Sequence, residues 1–420
     1  MALYYREVIE MRVSIKRVNI IDCLIVFFCI SCIAFDDGTP IVQISRIAII
    51  CAALVKFVHK RVSSTVYYYW SILLVCVVFI SRFWAANKDN AQTIFTTVLY
   101  NSLCFSCLVY LLYKDKKRIS LSLICVVIAP SILELRVVLL GGLLAFLDTR
   151  ALGAISANTV GMVGTFGVFS ALALSRLNRN KIFLMFAVIN GIISLLSASR
   201  KALMSIVAVA VLILIFNRNK GFIEKIWKLC IAVLCFIFVV LLMFDNPFLY
   251  NLVGWRFEGM INGFLGVESQ TDASTETRME LVEYGIEWFQ SKPFSGYGGD
   301  NFRYLMSVQH SGQTAFYAHN NFIELLVDYG ILGFVTYYSM YVFLIFKGLL
   351  NYKKISSTTI SMICLISGQL IMEYGMVDYY SRYTQLYIVI AYSMLVCDLL
   401  KNRNNSQVYV KEFPAWHKYA

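Results

Sequence analysis

The chain has 420 residues, a net charge of +12, 59% hydrophobic and 15% charged residues, and a mean hydropathy of +0.69. A globular domain is about 25% charged and about 45–50% apolar, so this composition excludes an ordinary soluble enzyme and points to a polytopic membrane protein. The positive charge does not require nucleic acid, because no contiguous soluble domain exists to carry a basic face; the cytoplasmic Lys and Arg excess of membrane proteins accounts for it.

The apolar runs are continuous and do not alternate residue by residue, which favours helices over a β-barrel. Twelve spans are predicted, at 19–35, 41–58, 66–84, 91–113, 119–146, 154–175, 181–198, 201–217, 226–244, 322–346, 355–376 and 384–400. No cleavable signal peptide is evident before the first. The fifth contains Pro130, Glu134 and Arg136 and is expected to kink or tilt. The twelve cysteines lie in apolar runs. Cys29/Cys32 and Cys104/Cys107 have the C-x-x-C spacing of a zinc or redox site, but no histidine shares those runs. Buried free cysteine ordinarily behaves as a small hydrophobe. No metal or other cofactor is expected.

Orientation follows from the positive charges. With the N-terminus inside, every inner segment carries at least three Lys or Arg, and no short outer loop carries more than two. The expected organisation is a membrane domain at 1–244 holding spans 1–9 and a large outer loop at 245–321. Spans 10–12 follow at 322–400, and then a polar, disordered or peripheral cytoplasmic tail at 401–420. Both termini are expected in the cytoplasm.

Within the large loop, Ser274 or Thr275 can cap a helix with Glu276 and Glu280 in its early turns. Met279, Val282, Ile286 and Phe289 give that helix one apolar face, and Lys292-Pro293 ends it. The run Ser295-Gly-Tyr-Gly-Gly-Asp-Asn301, with Gly296 and Gly298, brings backbone close to another group. The chain then reaches Ala318-His-Asn-Asn321, with Asn320 and Asn321 as candidate caps of the next helix and Gly330 and Gly333 expected to bend it.

A few residues can carry chemistry. Arg200, in the turn between spans 7 and 8, can grip a phosphate or diphosphate with its fork of donors, or meet lipid headgroups. Arg278 lies on the loop helix, and no carboxylate at the three- or four-residue spacing answers it locally. His319 is placed to act as a general base near neutral pH, or to cap and pack. Asp36-Asp37 could hold a divalent metal or serve as a base, or be a polar turn before Thr39-Pro40. Glu324 and Asp328 share one helix face. Glu373, Asp378 and Arg382 crowd the last outer loop, where charges near membrane depth are often functional and a local ion pair explains them as well.

Together these stretches resemble a family. Ser197-Ala-Ser-Arg-Lys-Ala-Leu203 is similar to the SR-x-x-L turn of the O-antigen ligase and O-antigen polymerase superfamily. Arg278 through Trp288, Pro293, Gly296-Tyr-Gly298 and Asn301-Phe302 resemble its large-loop signature. Ala318-His-Asn-Asn-Phe-Ile-Glu-Leu-Leu-Val-Asp-Tyr-Gly-Ile-Leu-Gly333 resembles its closing signature most closely. The resemblance covers 154–346 and implies an all-α polytopic protein of about 12 transmembrane helices, GT-C-like, with one large outer loop between spans 9 and 10. It implies an inverting, metal-independent glycosyltransferase in the bacterial cytoplasmic (inner) membrane. The donor would be an undecaprenyl-diphosphate-linked oligosaccharide drawn from the lipid bilayer.

By the same resemblance, Arg200 and Arg278 bind the diphosphate and His319 takes the proton of the attacking hydroxyl. Asn320, Glu324, Gly296, Gly298 and Asp37 stand as supporting residues. A flippase and a chain-length regulator are the implied partners. The His-Asn-Asn-Phe-Ile-Glu-Leu-Leu run looks more like the polymerases of O-antigen, capsule or exopolysaccharide than the ligases. Transfer to a lipid A core, protein or cell-wall glycan is the second reading. A secondary transporter is the third, and the clustering of informative residues at one interface, away from the midplane, argues against it.

Overall fold

The computed structural model describes residues 19–59, 64–141, 151–152, 155–178, 180–197, 199–216, 221–255, 257–259, 262, 273–310 and 316–412. Much of the predicted outer loop before Ala273 therefore lies outside the described residues, as does the tail beyond Glu412.

The described helices are α1 (Ile20–Ala34), α2 (Pro40–His59), α3 (Val66–Ser81), α4 (Lys88–Leu112), α5 (Lys116–Gly141), α6 (Ala157–Asn178), α7 (Ile182–Leu196), α8 (Arg200–Ile215) and α9 (Phe222–Asp245). After them come α10 (Ala273–Ser291), α11 (Asn301–Gln309), α12 (Asn321–Leu350), α13 (Ser357–Glu373) and α14 (Arg382–Glu412). A two-residue antiparallel pair, Ala151–Leu152 with Ile155–Ser156, precedes α6.

The protein is an integral, all-helical membrane protein in character. Six described helices are long and apolar enough to cross a bilayer: Pro40–Val58, Lys88–Leu112, Lys116–Leu139, Ala157–Asn178, Asn321–Leu350 and Arg382–Lys401. Ile20–Ala34, Val66–Ser81, Ile182–Leu196 and Ser357–Glu373 are shorter apolar helices. Each predicted span overlaps a helix. One core joins α1–α8 with α12–α14, with Phe28, Phe105, Phe166, Tyr337, Tyr341 and Tyr387 fully buried, and a second, smaller one joins α10, α11 and the start of α12 around Leu281, Trp288, Phe302 and Met306. Helix α9 packs on α8 and on the turn that follows it, Tyr250–Gly254, and leaves Ile223, Trp227, Leu234 and Phe238 exposed, as a lipid-facing helix would.

Several local expectations change. Helix α10 begins at Ala273, so Ser274 and Thr275 lie in its first turn and do not precede it as caps. Helix α14 continues through the polar residues to Glu412, so the tail is helical that far, where disorder was one of the two expectations. Nothing between Arg382 and Glu412 is a Gly or Pro that would stop it. Helix α5 runs through Pro130. Asp36 pairs with Arg136 (3.1 Å), and Asp37 with Arg46 (2.6 Å) and Arg382 (2.7 Å). Both carboxylates are thus engaged with arginines and tie the first connection to α2, α5 and α14. Arg382 does not pair with Glu373 or Asp378; its reach to Asp37 across the bundle is what sequence proximity could not show.

Candidate active site

Three segments meet at one end of the bundle: the α7–α8 turn with Arg200, the 292–301 run after α10, and residues 316–324 entering α12. The α7–α8 turn is set by a close helix approach. Gly161, Gly164 and Gly167 form one stripe of α6, and a β-carbon on any of them would press into Ser197, Ser194 or Asn190 of α7 and its end. Ser194 Oγ donates to the Gly161 carbonyl (3.2 Å), and Ser199 Oγ bonds Asn158 Oδ1 (3.0 Å). Arg200 is then the first residue of α8, half-buried, with Lys201 beside it.

The glycine-rich run locks onto α12. Tyr297 N donates to Val327 O (2.9 Å), Gly298 N to Asp328 O (2.7 Å) and Ile331 N to Pro293 O (2.8 Å). These bonds need α12 to open, and it does so at Gly330, whose φ of 64° and ψ of −165° are non-helical. Gly296 has a φ of 62° and lies against the backbone of Asp328, while Gly330 lies against that of Phe294. The two runs can approach this closely only without β-carbons. Gly296 and Gly298 therefore brace the α12 entrance. Asp328 completes the joint: its carboxylate accepts from the N–H groups of Asp300 (2.8 Å), Asn301 (3.1 Å) and Phe302 (3.2 Å), at the start of α11. The expected bend is at Gly330; Gly333 stays helical.

His319 sits at the mouth of α12 in the left-handed region, φ 51°, an uncommon and costly place for a side chain larger than glycine. Its neighbours hold it there. Glu324 Oε2 accepts the Ala318 N–H at 2.7 Å. Asn320 is the helix cap, accepting from Phe322 N (3.0 Å) and Ile323 N (3.3 Å). Asn321, fully buried, does not cap. Its Nδ2 donates to Tyr338 OH (2.9 Å) and Glu373 Oε2 (3.0 Å), and its Oδ1 accepts from the N–H groups of Asp378 (2.9 Å) and Tyr379 (3.0 Å). One side chain thus fastens α12 to the α13–α14 connection. Tyr337, Tyr338 and Tyr341 all donate to Glu373.

The imidazole of His319 packs on Tyr317, ring centroids 4.0 Å apart, and among the described residues its buried Nδ1 has no hydrogen-bond partner. Burial, and then the positive charges of Arg278, Lys201 and Arg303, push its pKa down to about 3. The ring is therefore neutral at physiological pH, with a lone pair available. Arg200 acts on Lys201, which in turn acts on His319. Asp378 lies in the same field, raised to about 8 by burial and by Glu373, and held down in part by Lys201. Asp37 stands apart, in the arginine lattice with Arg46 and Arg382. Among the described residues no three of His, Cys, Asp and Glu form a group that could hold a metal ion.

Sequence reasoning left out two residues that the structure draws in. Lys201 was visible only as a second charge after Arg200, and Asn321 was read as a cap. The signal for Asn321 was its position beside a sufficient cap, Asn320, which leaves a buried amide to be satisfied elsewhere.

The arrangement is a strained, half-buried neutral histidine within the field of several cations, held by a glycine-braced helix entrance. Such a site pairs a proton acceptor with an anion-binding group. Residues 185–338 match the family model described as O-antigen ligase, a stretch that runs from α7 through α8 and α10 to the kinked half of α12. Over this stretch the chain is similar to the O-antigen polymerase and ligase superfamily, which supports the resemblance read from the sequence. No curated protein matches the chain.

Proposed function

We propose that the protein is a repeat-unit polymerase. It would transfer a glycan from undecaprenyl diphosphate to a sugar hydroxyl of a second lipid-linked glycan, at the outer face of the bacterial cytoplasmic membrane. The observation that supports it most directly is His319: backbone pinned, Nδ1 unpartnered, and faced by Arg278, Lys201 and Arg303.

In this reading the acceptor hydroxyl attacks the anomeric carbon from the side opposite the diphosphate. The C–O bond to the diphosphate breaks with its electron pair, and the hydroxyl proton passes to the basic nitrogen of His319. Attack from the opposite side inverts the anomeric centre. Arg278 and Arg200 receive the charge that builds on the leaving diphosphate. Fixed cations in a partly desolvated site do this without reorganising. A positioned general base contributes about 10²–10⁴-fold. Asn320 and Glu324 hold His319 in place, and Gly296 and Gly298 hold the entrance.

The organisation read from the sequence is part of this proposal: 245–321 as the outer loop, both termini inside, and a flippase and chain-length regulator as partners. The family description favours a second reading, ligase-type transfer to a lipid A core, protein or other acceptor, by the same chemistry.

The test uses a host lacking its own polymerase and supplied with one lipid-linked repeat unit. Wild type, Arg200→Ala and His319→Ala are expressed at matched membrane levels and the glycans resolved by gel. A ladder from the wild type, lost in both variants, is expected. One repeat moved to a non-lipid acceptor would establish the ligase instead. A ladder surviving both substitutions would overturn the site assignment.

A further inference from the structure

Lys201 is a charged side chain at this site to which the transfer chemistry above gives no task. It follows Arg200 in the first turn of α8 and is half-buried. Its ammonium donates to the carbonyl of Gly375, in the α13–α14 connection, and its stem lies so close to Gly375 that a β-carbon there would collide with it. That hydrogen bond is to a neutral acceptor. An ammonium has three N–H donors, so two remain beyond the one the carbonyl takes.

Charges of both signs act on it. Arg278 and Arg200 both act on Lys201, and the one opposing charge among its principal neighbours is Asp378. Asp378 is buried and has one carboxylate oxygen occupied by Gln369 Nε2 at 2.7 Å. Like charges gathered in a partly desolvated place repel. An anion of more than one charge is attracted to each of them.

We propose that Lys201 is a third cation for the anionic head of the lipid donor, held by Gly375 where its remaining N–H groups meet a phosphate of the diphosphate. This rests on the lipid-diphosphate reading given above. A diphosphate diester carries two negative charges, and the departing lipid diphosphate carries a third once the bond to the sugar breaks. Two arginine forks fit phosphate oxygens in a plane, and a lysine adds a compact charge that can follow the new one. Gly375 is then required as glycine, because any side chain there would displace the lysine.

The experiment measures binding of undecaprenyl diphosphate, undecaprenyl monophosphate and undecaprenol to the full chain in phosphatidylcholine nanodiscs. The wild type should prefer the diphosphate. Lys201→Gln should weaken diphosphate binding about tenfold, the scale of one charge-assisted contact, and leave undecaprenol binding unchanged. Lys201→Arg should stay within about threefold of wild type. Gly375→Ala, which keeps the charge and moves the stem, should also weaken the diphosphate selectively.

If the wild type shows no preference for diphosphate, the donor reading itself fails. If it shows the preference and Lys201→Gln and Gly375→Ala retain it, the donor reading stands and the role of Lys201 is refuted. Repeating the series with phosphatidylglycerol separates the donor from bulk lipid. A Lys201→Gln defect confined to phosphatidylglycerol association would make the residue a headgroup contact and overturn the proposal. Should Lys201→Gln not accumulate, Gly375→Ala decides, since wild-type affinity there would leave the placement of Lys201 without consequence.

Discussion

Glu324 offers the sharpest test of how the site is built. Its side chain is 1% exposed, and its Oε2 accepts the Ala318 N–H at 2.7 Å. The next residue, His319, is held at φ 51°. The left-handed conformation costs about 1–2 kcal/mol for a residue with a β-carbon. A buried N–H left without an acceptor costs about 1–3 kcal/mol. In the wild type the hydrogen bond more than offsets the strain. In Glu324→Ala the bond is gone, and an ordinary backbone at His319 becomes favoured by about 1–2 kcal/mol, so roughly 5- to 30-fold fewer molecules present the imidazole correctly. Glu324→Gln keeps an acceptor oxygen in place. Transfer rates at saturating donor should therefore fall about 5- to 30-fold in Glu324→Ala and only a few-fold in Glu324→Gln. The donor KM should change little in either, because Glu324 does not touch the diphosphate. Equal rates for the two variants, whether both normal or both lost, would refute the positioning role.

Three further outcomes are expected. Gly330→Ala places a β-carbon at φ 64° against the Phe294 backbone; detergent-solubilised protein should show a clearly lower thermal midpoint by fluorescence-detected gel filtration, while Gly38→Ala, with open space around it, should not. The acid limb of kcat/KM should lie well below the usual histidine range, because burial and the charges of Arg278, Lys201 and Arg303 hold free His319 near 3. The limb of kcat should lie at higher pH, since bound diphosphate offsets those charges, and coincident limbs would count against the cationic site. Asp378 has a folded value of about 8 against an ordinary 3.8. The stability it contributes is present in full below 3.8 and lost as pH rises through about 8, so the wild-type thermal midpoint should decline across that window. In Asp378→Asn that part of the decline should be absent.

Much of the fold was legible in the linear chain. Continuous apolar runs of bilayer length define helices whatever their neighbours, because backbone groups in hydrocarbon must be satisfied within the segment. Arg200, Arg278 and His319 stood out as candidates through the motif resemblance, since locally each also fitted a plainer role as a headgroup contact, a solvated charge or a cap. The bend at Gly330 and the cap at Asn320 could be expected from residue type alone.

Tertiary structure alone decided which charges share a site. Asp37 is 345 residues from Arg382 along the chain, yet they pair, while Arg382 does not pair with Asp378 four residues away. Glu373 finds three tyrosine hydroxyls and Asn321 where a local arginine was expected. Lys201 is drawn to Gly375 and into the field of His319 by packing between α8 and α13. Hydropathy and helical period are properties of neighbours in sequence, and they settle what each segment becomes. Hydrogen bonds and charge pairs depend on distance in space, and those distances exist only once the helices have packed.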